Sequence, residues 1–136
     1  MQVQIKSDFL DTAKRKIFVI EDDNGLAEFM QLFFDISGYR YRIIGKTENI
    51  LPLIDEFKPD LVILDYMLPE INGGEICAQI KNNIGTHYVP VLIFSAYPGV
   101  LYSLGDCGYD AFLAKPFELN DLEKIIETLA GRMHLI

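Results

Sequence analysis

Five polar side chains stand at or just after the ends of short apolar runs in this sequence: Glu21, Asp22, Asp65, Ser95 and Lys115. Clustered carboxylates repel one another, so a group of them needs a compensating cation. Mg²⁺ takes one or two carboxylates, keeps several waters and completes its octahedral shell with phosphoryl oxygen. Lysine and serine supply a positive charge and a hydroxyl donor for other phosphoryl oxygens. Asp65 is then available as a nucleophile that forms an aspartyl phosphate.

Each of these residues also has a purely structural interpretation. The acids at 21–23 are typical of a solvated turn before a helix, where the helix dipole favours negative charge. Taken singly, Asp65 fits an Asx-type turn, Ser95 a helix cap and Lys115 a surface lysine. The hypothesis of a functional site is excluded only if all of these structural interpretations hold at once. We therefore favour the hypothesis that the residues form a functional site.

The elements that would position these side chains alternate along the chain. Runs of apolar or alternating residues predict five strands, at 16–21, 39–44, 60–65, 89–96 and 110–115. The run at 39–44 alternates, which is typical of an edge strand with one wetter face. Helical patterns fall between and after the strands, at 24–37, 48–57, 73–82, 99–107 and 119–131.

This alternation predicts an α/β fold, a doubly wound, five-stranded parallel sheet with helices on both faces. Parallel strands end at the same edge of the sheet, and such folds bind ligands outside that edge. We therefore expect the five polar side chains to converge there.

Composition excludes several classes of protein. The chain has 136 residues, 50% hydrophobic and 24% charged, as expected for one ordinary domain. Its apolar runs are far shorter than the ~20 residues of a membrane helix, and its N-terminus does not read as a signal peptide. We expect a cytoplasmic protein that contacts no membrane. The net charge of −8 argues against direct contact with nucleic acid, which usually requires a basic face.

Four motifs carry a resemblance to a known family: FVIEDD, PDLVILDYMLPEINGGE, VPVLIFSA and AFLAKPF. Together, each at its expected strand end, they resemble the receiver domains of two-component response regulators. The resemblance implies a flavodoxin-like (βα)5 fold with strand order 2-1-3-4-5. It also implies a receiver domain at 14–136, preceded by an N-terminal extension at 1–13 that is a flexible arm or an added helical turn.

The resemblance further implies roles for the site residues. Asp65 is the phosphoacceptor, and Lys115 is the charge partner of its phosphoryl group. Mg²⁺, or Mn²⁺ in its place, is bound directly by Asp22 and Asp65. Glu21 binds the ion through water, and the backbone carbonyl of Met67 is a further ligand.

Two residues are implied as the switch. Ser95 is the hydroxyl that turns toward the phosphoryl group, and Phe112 is the aromatic ring that follows it inward. Phenylalanine replaces the tyrosine often found there, so this ring has no hydroxyl to donate. The Lys115–Pro116 peptide bond is often cis in this family. Proline and glycines between 96 and 108 predict a short fourth helix.

Two further residues suggest how long a phosphoryl group would last. Met67 and Tyr97 lie two residues beyond Asp65 and Ser95, where side chains flank the path of attacking water. Both are bulky, and neither is a carboxylate or amide able to orient water. We expect them to prolong the lifetime of the phosphoryl group.

The expected partners are a sensor histidine kinase or histidine phosphotransfer protein and an unknown downstream protein. The downstream contact is expected on the face of the fourth helix, fifth strand and fifth helix. We do not expect an enzyme, beyond promotion of its own phosphorylation and slow dephosphorylation. A phosphatase of the haloacid dehalogenase type would need a second acid where Met67 stands. A receiver that is not phosphorylated, or one excised from a larger regulator or hybrid kinase, stays an open alternative.

Overall fold

The computed structural model describes residues 15–102, 105 and 107–134. Within these residues, five strands and four α-helices follow one another, with two short 3₁₀ segments. In order they are β1 Lys16–Ile20, α1 Asn24–Ser37, β2 Arg40–Ile44, α2 Leu51–Phe57, β3 Leu61–Asp65, α3 Gly73–Lys81, β4 Val91–Ser95, a 3₁₀ segment Pro98–Tyr102, β5 Ala111–Ala114, α4 Leu119–Gly131 and a second 3₁₀ segment Arg132–His134. The expected extension at 1–13 lies outside the described residues.

The five strands form one parallel sheet in the order β2-β1-β3-β4-β5. The register pairs Ile20 with Ile44 and with Leu64, so β1, β2 and β3 end at the same level. The last residues of β4 and β5, Ser95 and Ala114, are also paired. The predicted α/β fold and strand order are confirmed, and the carboxyl ends of the strands share one edge.

The core has two layers, one on each face of the sheet. One layer lies beneath α2 and α3 and includes Val62 and Ile93; we call it the α2/α3 layer. The other lies beneath α1 and α4 and includes Ile63 and Phe94; we call it the α1/α4 layer. Successive residues of a strand face opposite sides. Because both sides are buried, β1, β3 and β4 are almost wholly apolar.

Helix α1 begins and ends where its sequence signals indicate. The Asp23 side chain caps the helix by accepting a hydrogen bond from Leu26 N at 3.3 Å. Gly38 ends it in the left-handed conformation, with φ of 80°, which glycine adopts without steric cost. These two residues fix the length of the connection from β1 to β2.

Helix α3 starts very close to the end of β3. Asn72 and Glu75 form a capping box, each side chain accepting a hydrogen bond from the other residue's backbone N–H. A Cβ atom on Gly73 would lie 2.5 Å from the carbonyl oxygen of Asp65 and 2.9 Å from Tyr66 Cα. Only glycine permits this approach, which holds the backbone that follows Asp65 against the first turn of α3.

Three details differ from the sequence-based prediction. Strand β2 is half-buried along most of its length rather than alternating. Helix α2 begins at Leu51 rather than near Glu48, because the Asn49 side chain accepts a hydrogen bond from Leu51 N and forms a turn there. The predicted helix at 99–107 is a 3₁₀ segment over its first residues. No helix within the described residues is long and apolar enough to span a bilayer.

Candidate functional site

The carboxyl edge of the sheet brings four of the five predicted side chains into one cluster. Asp65 is the last residue of β3, Glu21 and Asp22 follow β1, and Lys115 follows β5. Ser95, the fifth, ends β4 at the same edge. The residues come from separate segments, and the parallel register aligns their strand ends.

Three carboxylates form the acidic part of the cluster. One oxygen from each of Glu21, Asp22 and Asp65 lies within 4.8 Å of the others. Glu21 and Asp65 are buried, with 3% and 5% of their surface exposed, whereas Asp22 is exposed. The buried acids are therefore held in place by the sheet, and the exposed one opens the cluster to solvent.

Lys115 is the cation of the cluster. Its Nζ donates a hydrogen bond to Glu21 Oε1 at 3.1 Å and lies 3.3 Å from Asp65 Oδ2. One ammonium thus contacts two of the three acids. The Lys115–Pro116 peptide bond is cis, as the resemblance implied.

The environment of Glu21 disfavours its charged form. Burial, which is the largest cause, and the negative charge of Asp65 together raise the pKa of Glu21 to about 7. The hydrogen bond that Glu21 Oε2 accepts from Asp23 N, at 2.9 Å, and the nearby Lys115 act in the opposite direction. The cluster as a whole has a deficit of positive charge.

Two of the structural interpretations are also correct for these acids. Asp65 Oδ1 accepts a hydrogen bond from Met67 N at 3.2 Å, as in an Asx-type turn. Asp23 is the cap of α1 and does not belong to the three-acid cluster. The turn orients Asp65 without using the oxygen that faces Lys115.

The predicted switch residues lie on the α2/α3 side of β4 and β5. Ser95 is fully buried, and its Oγ accepts a hydrogen bond from Tyr97 N at 3.0 Å. Two residues before it, Ile93 belongs to the α2/α3 layer, so Ser95 faces the same side. Phe112 is half-buried against that layer.

The side chains of the two predicted lifetime residues are largely exposed. Met67 is 53% exposed and Tyr97 is 61% exposed. Each follows a site residue by two positions, Met67 after Asp65 and Tyr97 after Ser95.

One contact of the cluster was missed by sequence reasoning. Lys115 Nζ lies over the ring of Phe94, 4.6 Å from its centroid. The available signal was that Phe94 immediately precedes Ser95 at the end of the strand. Sequence alone does not distinguish such a residue from one that only fills the core.

The donor set fits a hard divalent cation. Carboxylate oxygens are the ligands that Mg²⁺ prefers, and three of them converge here with one oxygen apiece. The cluster holds three acids against one ammonium, so a divalent ion would offset charge that Lys115 leaves. The site residues therefore pass a chemical test for Mg²⁺ or a similar ion.

Comparison with known proteins identifies a family. The family model described as the response regulator receiver domain matches residues 17–127. The DNA-binding response regulator MtrA of Mycolicibacterium smegmatis is 33% identical over 115 residues, which cover 83% of this chain and 49% of MtrA. The chain therefore spans about half the length of this curated relative.

Solved structures agree with the fold. The signal receiver domain of a DNA-binding response regulator from Colwellia psychrerythraea has a TM-score of 0.76 and 25% identity, and the match covers 87% of this chain and 99% of that one. The receiver domain of the sensor histidine kinase PA1611 from Pseudomonas aeruginosa has a TM-score of 0.73 and 20% identity, covering 86% and 98%. That structure is described with a magnesium ion coordinated in its active-site cleft.

These relatives correct one expectation. From the net charge of −8 we expected that the partners would not include nucleic acid. That expectation is wrong, because relatives such as MtrA are named as DNA-binding response regulators. The charge of this chain describes only its own surface. It carries no information about the half of the relatives' length that the chain does not span.

Proposed function

The chain belongs to the response regulator receiver domain family, and from that premise we propose that it is a signalling switch phosphorylated on Asp65. The donor is the phosphohistidine of a sensor histidine kinase or a histidine phosphotransfer protein. The observation that supports this most is the buried Asp65 carboxylate, 3.3 Å from Lys115 Nζ and clustered with Glu21 and Asp22. The proposed role is that of a phosphoacceptor, not of an enzyme acting on an external substrate.

In the proposed step, a carboxylate oxygen of Asp65 attacks phosphorus in line with the bond to the donor nitrogen. That bond breaks, and its electron pair stays with the donor histidine. Lys115 offsets negative charge on a phosphoryl oxygen, and the rigid end of β3 holds the nucleophile, so catalysis is positioning and charge neutralisation. The turn through Met67 N keeps Asp65 in one orientation.

We propose that Asp22 and Asp65 bind Mg²⁺ directly, that Glu21 binds it through water, and that the Met67 carbonyl is a further ligand. Mn²⁺ has similar ligand preferences and is the alternative ion. When bound, the ion supplies positive charge that screens the carboxylates from the incoming phosphoryl oxygens. The convergence of three carboxylate oxygens within 4.8 Å supports this assignment.

The proposed switch begins at Ser95. Its hydroxyl exchanges the hydrogen bond from Tyr97 N for one to the phosphoryl group, and Phe112 repacks against the α2/α3 layer. The affected surface consists of the 3₁₀ segment Pro98–Tyr102, β5 and α4, which we call the output face. Phosphorylation then biases the equilibrium between two packings of this face.

The relatives' names support a proposal for the output of the switch. We extend the proposal to control of a DNA-binding function, exerted through the output face, as in proteins described as DNA-binding response regulators. The proposed location is the cytoplasm. The two free, buried thiols of Cys77 and Cys107 fit a reducing compartment.

The main test is phosphorylation by a small donor. Wild-type protein, Asp65→Asn and Asp60→Asn are incubated with Mg²⁺ and a small phosphodonor such as phosphoramidate, and intact mass is recorded. We expect one added phosphoryl group on wild type and on Asp60→Asn, whose changed carboxyl is also buried but lies at the start of β3. Asp65→Asn should gain none. Equal labelling of Asp65→Asn would contradict the proposal.

A second test addresses the lifetime of the phosphoryl group. Met67 and Tyr97 are proposed to obstruct attacking water, since they are bulky, exposed and unable to orient it. After removal of the donor, loss of the phosphoryl group should be faster in Tyr97→Ala and in Met67→Asn than in wild type. Unchanged decay in both variants would remove this part of the proposal and leave Asp65 as the acceptor.

A further inference from the structure

The ammonium of Lys115 has three neighbours, of which two are acids and one is aromatic. Its Nζ lies 3.1 Å from Glu21 Oε1, 3.3 Å from Asp65 Oδ2 and 4.6 Å from the centroid of the Phe94 ring. The lysine side chain is 20% exposed, so most of its surface is shielded from solvent. A cation over a ring face is attracted by the ring's quadrupole, more strongly when it is desolvated.

The Phe94 ring is itself held rigidly. Phe94 is 1% exposed and belongs to the α1/α4 layer. Its ring packs against Phe117, with centroids 6.0 Å apart and planes at 81°. On the backbone, Phe94 is paired with Asp65 of β3 and with Leu113 of β5. The ring is thus fixed relative to both the acceptor strand and the strand that carries the lysine.

We propose that Phe94 is a positioning residue, whose ring face holds the Lys115 ammonium beside the carboxylate of Asp65. This inference rests on the proposed function, because it concerns the lysine's part in phosphoryl transfer. Lysine carries its ammonium on a flexible chain of four carbons, and ion pairs with two acids do not fix a single position for that ammonium. The buried ring of Phe94 supplies a third contact, which restricts where the ammonium can lie.

The competing explanation is that Phe94 only fills the core. Changing the electron density of the ring without changing its shape distinguishes this explanation from the positioning role. Fluorine atoms added to the ring leave its shape almost unchanged but progressively weaken the negative potential of its face. A residue that only fills the core is insensitive to this series. For a residue that holds a cation, the contact weakens with each added fluorine.

The experiment replaces Phe94 by 4-fluoro-, 3,5-difluoro- and 3,4,5-trifluorophenylalanine, incorporated at that site only. Phosphorylation of Asp65 by phosphoramidate with Mg²⁺ is timed by intact mass. We expect the rate constant to fall stepwise, by about threefold to tenfold in total, for a desolvated cation–π contact of ordinary strength. The same series at Phe34, a buried ring of the same layer, should leave the rate unchanged.

A second measurement does not depend on phosphorylation or on metal. The Cε protons of Lys115, assigned by their loss in Lys115→Arg, should resonate upfield in the NMR spectrum because they adjoin the Nζ atom that lies over the ring. Phe94→Leu, which keeps the site apolar, should return them to the position of exposed lysines.

The outcomes are distinct. A stepwise fall at Phe94, with none at Phe34 and an upfield Lys115 signal, supports the positioning role. A phosphorylated chain whose rate does not vary across the Phe94 series overturns the role of Phe94 and leaves the proposed function standing. An unshifted Lys115 signal overturns the contact itself. A wild-type chain that accepts no phosphoryl group overturns the proposed function and this role with it.

Discussion

The carboxyl groups of Glu21, Asp22 and Asp65 carry more negative charge than Lys115 can offset. Two unit charges about 4 Å apart interact by roughly 1 kcal/mol in water and by more when partly buried. Burial first, and the negative charge of Asp65 after it, raise the pKa of Glu21 to about 7. At the scale of single residues, we therefore expect a bound divalent ion to stabilise the site.

This imbalance predicts opposite effects of Asp22→Asn with and without Mg²⁺. Without Mg²⁺ the substitution should raise the Tm slightly, by the equivalent of about 1 kcal/mol or less, because it removes repulsion. With Mg²⁺, wild type should gain stability by mass action and the variant should gain far less. Thermal unfolding over a Mg²⁺ titration measures both effects.

Asp23→Asn is the control for this prediction. Asp23 adjoins the cluster but caps α1, and asparagine caps a helix about as well. Its response to Mg²⁺ should follow that of wild type. An equal loss of the Mg²⁺ response in both variants would mean that overall charge, not the three-acid cluster, attracts the ion.

At the scale of the elements, the junction between β3 and α3 determines where Asp65 sits. Gly73 N donates a hydrogen bond to Tyr66 O at 2.9 Å, and there is no room for a Cβ at Gly73 against the Asp65 carbonyl. The first turn of the helix and the end of the strand therefore move as one unit.

Gly73→Ala should destabilise the protein by about 1–3 kcal/mol and slow phosphorylation of Asp65, because the new methyl group displaces the backbone. Gly25→Ala is the matched control, since Gly25 also lies in the first turn of a helix, and its Cβ would meet its nearest atom at 3.9 Å. That variant should be as stable as wild type or more so. Urea unfolding and the intact-mass assay test both, and a harmless Gly73→Ala would show that the junction is loose.

Much of this architecture was predictable because local signals agreed with the tertiary structure. The helical pattern at 24–37 gave the bounds of α1, and strand ends gave the positions of the site residues. The start of α2 was not predictable, since Asn49 forms a turn that competes with helix. The half-buried pattern of β2 depends on tertiary packing. The place of Phe94 beneath Lys115 depends on the distance between two strands, which sequence spacing does not encode.

At the scale of the whole molecule, polar contacts join distant segments at the edge opposite the site. Tyr39 donates a hydrogen bond to Glu127 of α4 at 2.6 Å, and Arg15 lies 3.6 Å from the same carboxylate. The Asp60 side chain accepts one hydrogen bond from Lys16 N, and its Oδ2 lies 3.1 Å from His134 Nε2. The start of β1, the start of β3 and the end of the chain's last helix are held together there.

Tyr39→Phe should lower stability near neutral pH by about 1 kcal/mol, the usual net value of a hydrogen bond. Burial, and then the hydrogen bond to Glu127, raise the pKa of Tyr39 above its ordinary value of 10.0. Because the unfolded chain ionises first, stability is present below pH 10 and is lost as pH rises above it. Tyr39→Phe should therefore lose stability less steeply in alkali.

Urea unfolding between pH 8 and pH 11 measures that slope. Tyr41→Phe is the control, since Tyr41 donates a similar hydrogen bond, to Asp35 at 2.7 Å, but at the surface. Its effect near neutral pH should be the smaller of the two. A larger loss of stability in Tyr41→Phe than in Tyr39→Phe would contradict the importance of the hydrogen bond between Tyr39 and Glu127.

The tip of β4 has a consequence for how the domain can respond. Phe94 and Ser95 are adjacent in sequence, yet the ring is in the α1/α4 layer and the hydroxyl faces the α2/α3 layer. Close-packed interiors do not absorb such movements locally. A displacement of this strand end would therefore be felt on both sides of the sheet at once, so that a phosphorylated chain would present two altered surfaces to its surroundings.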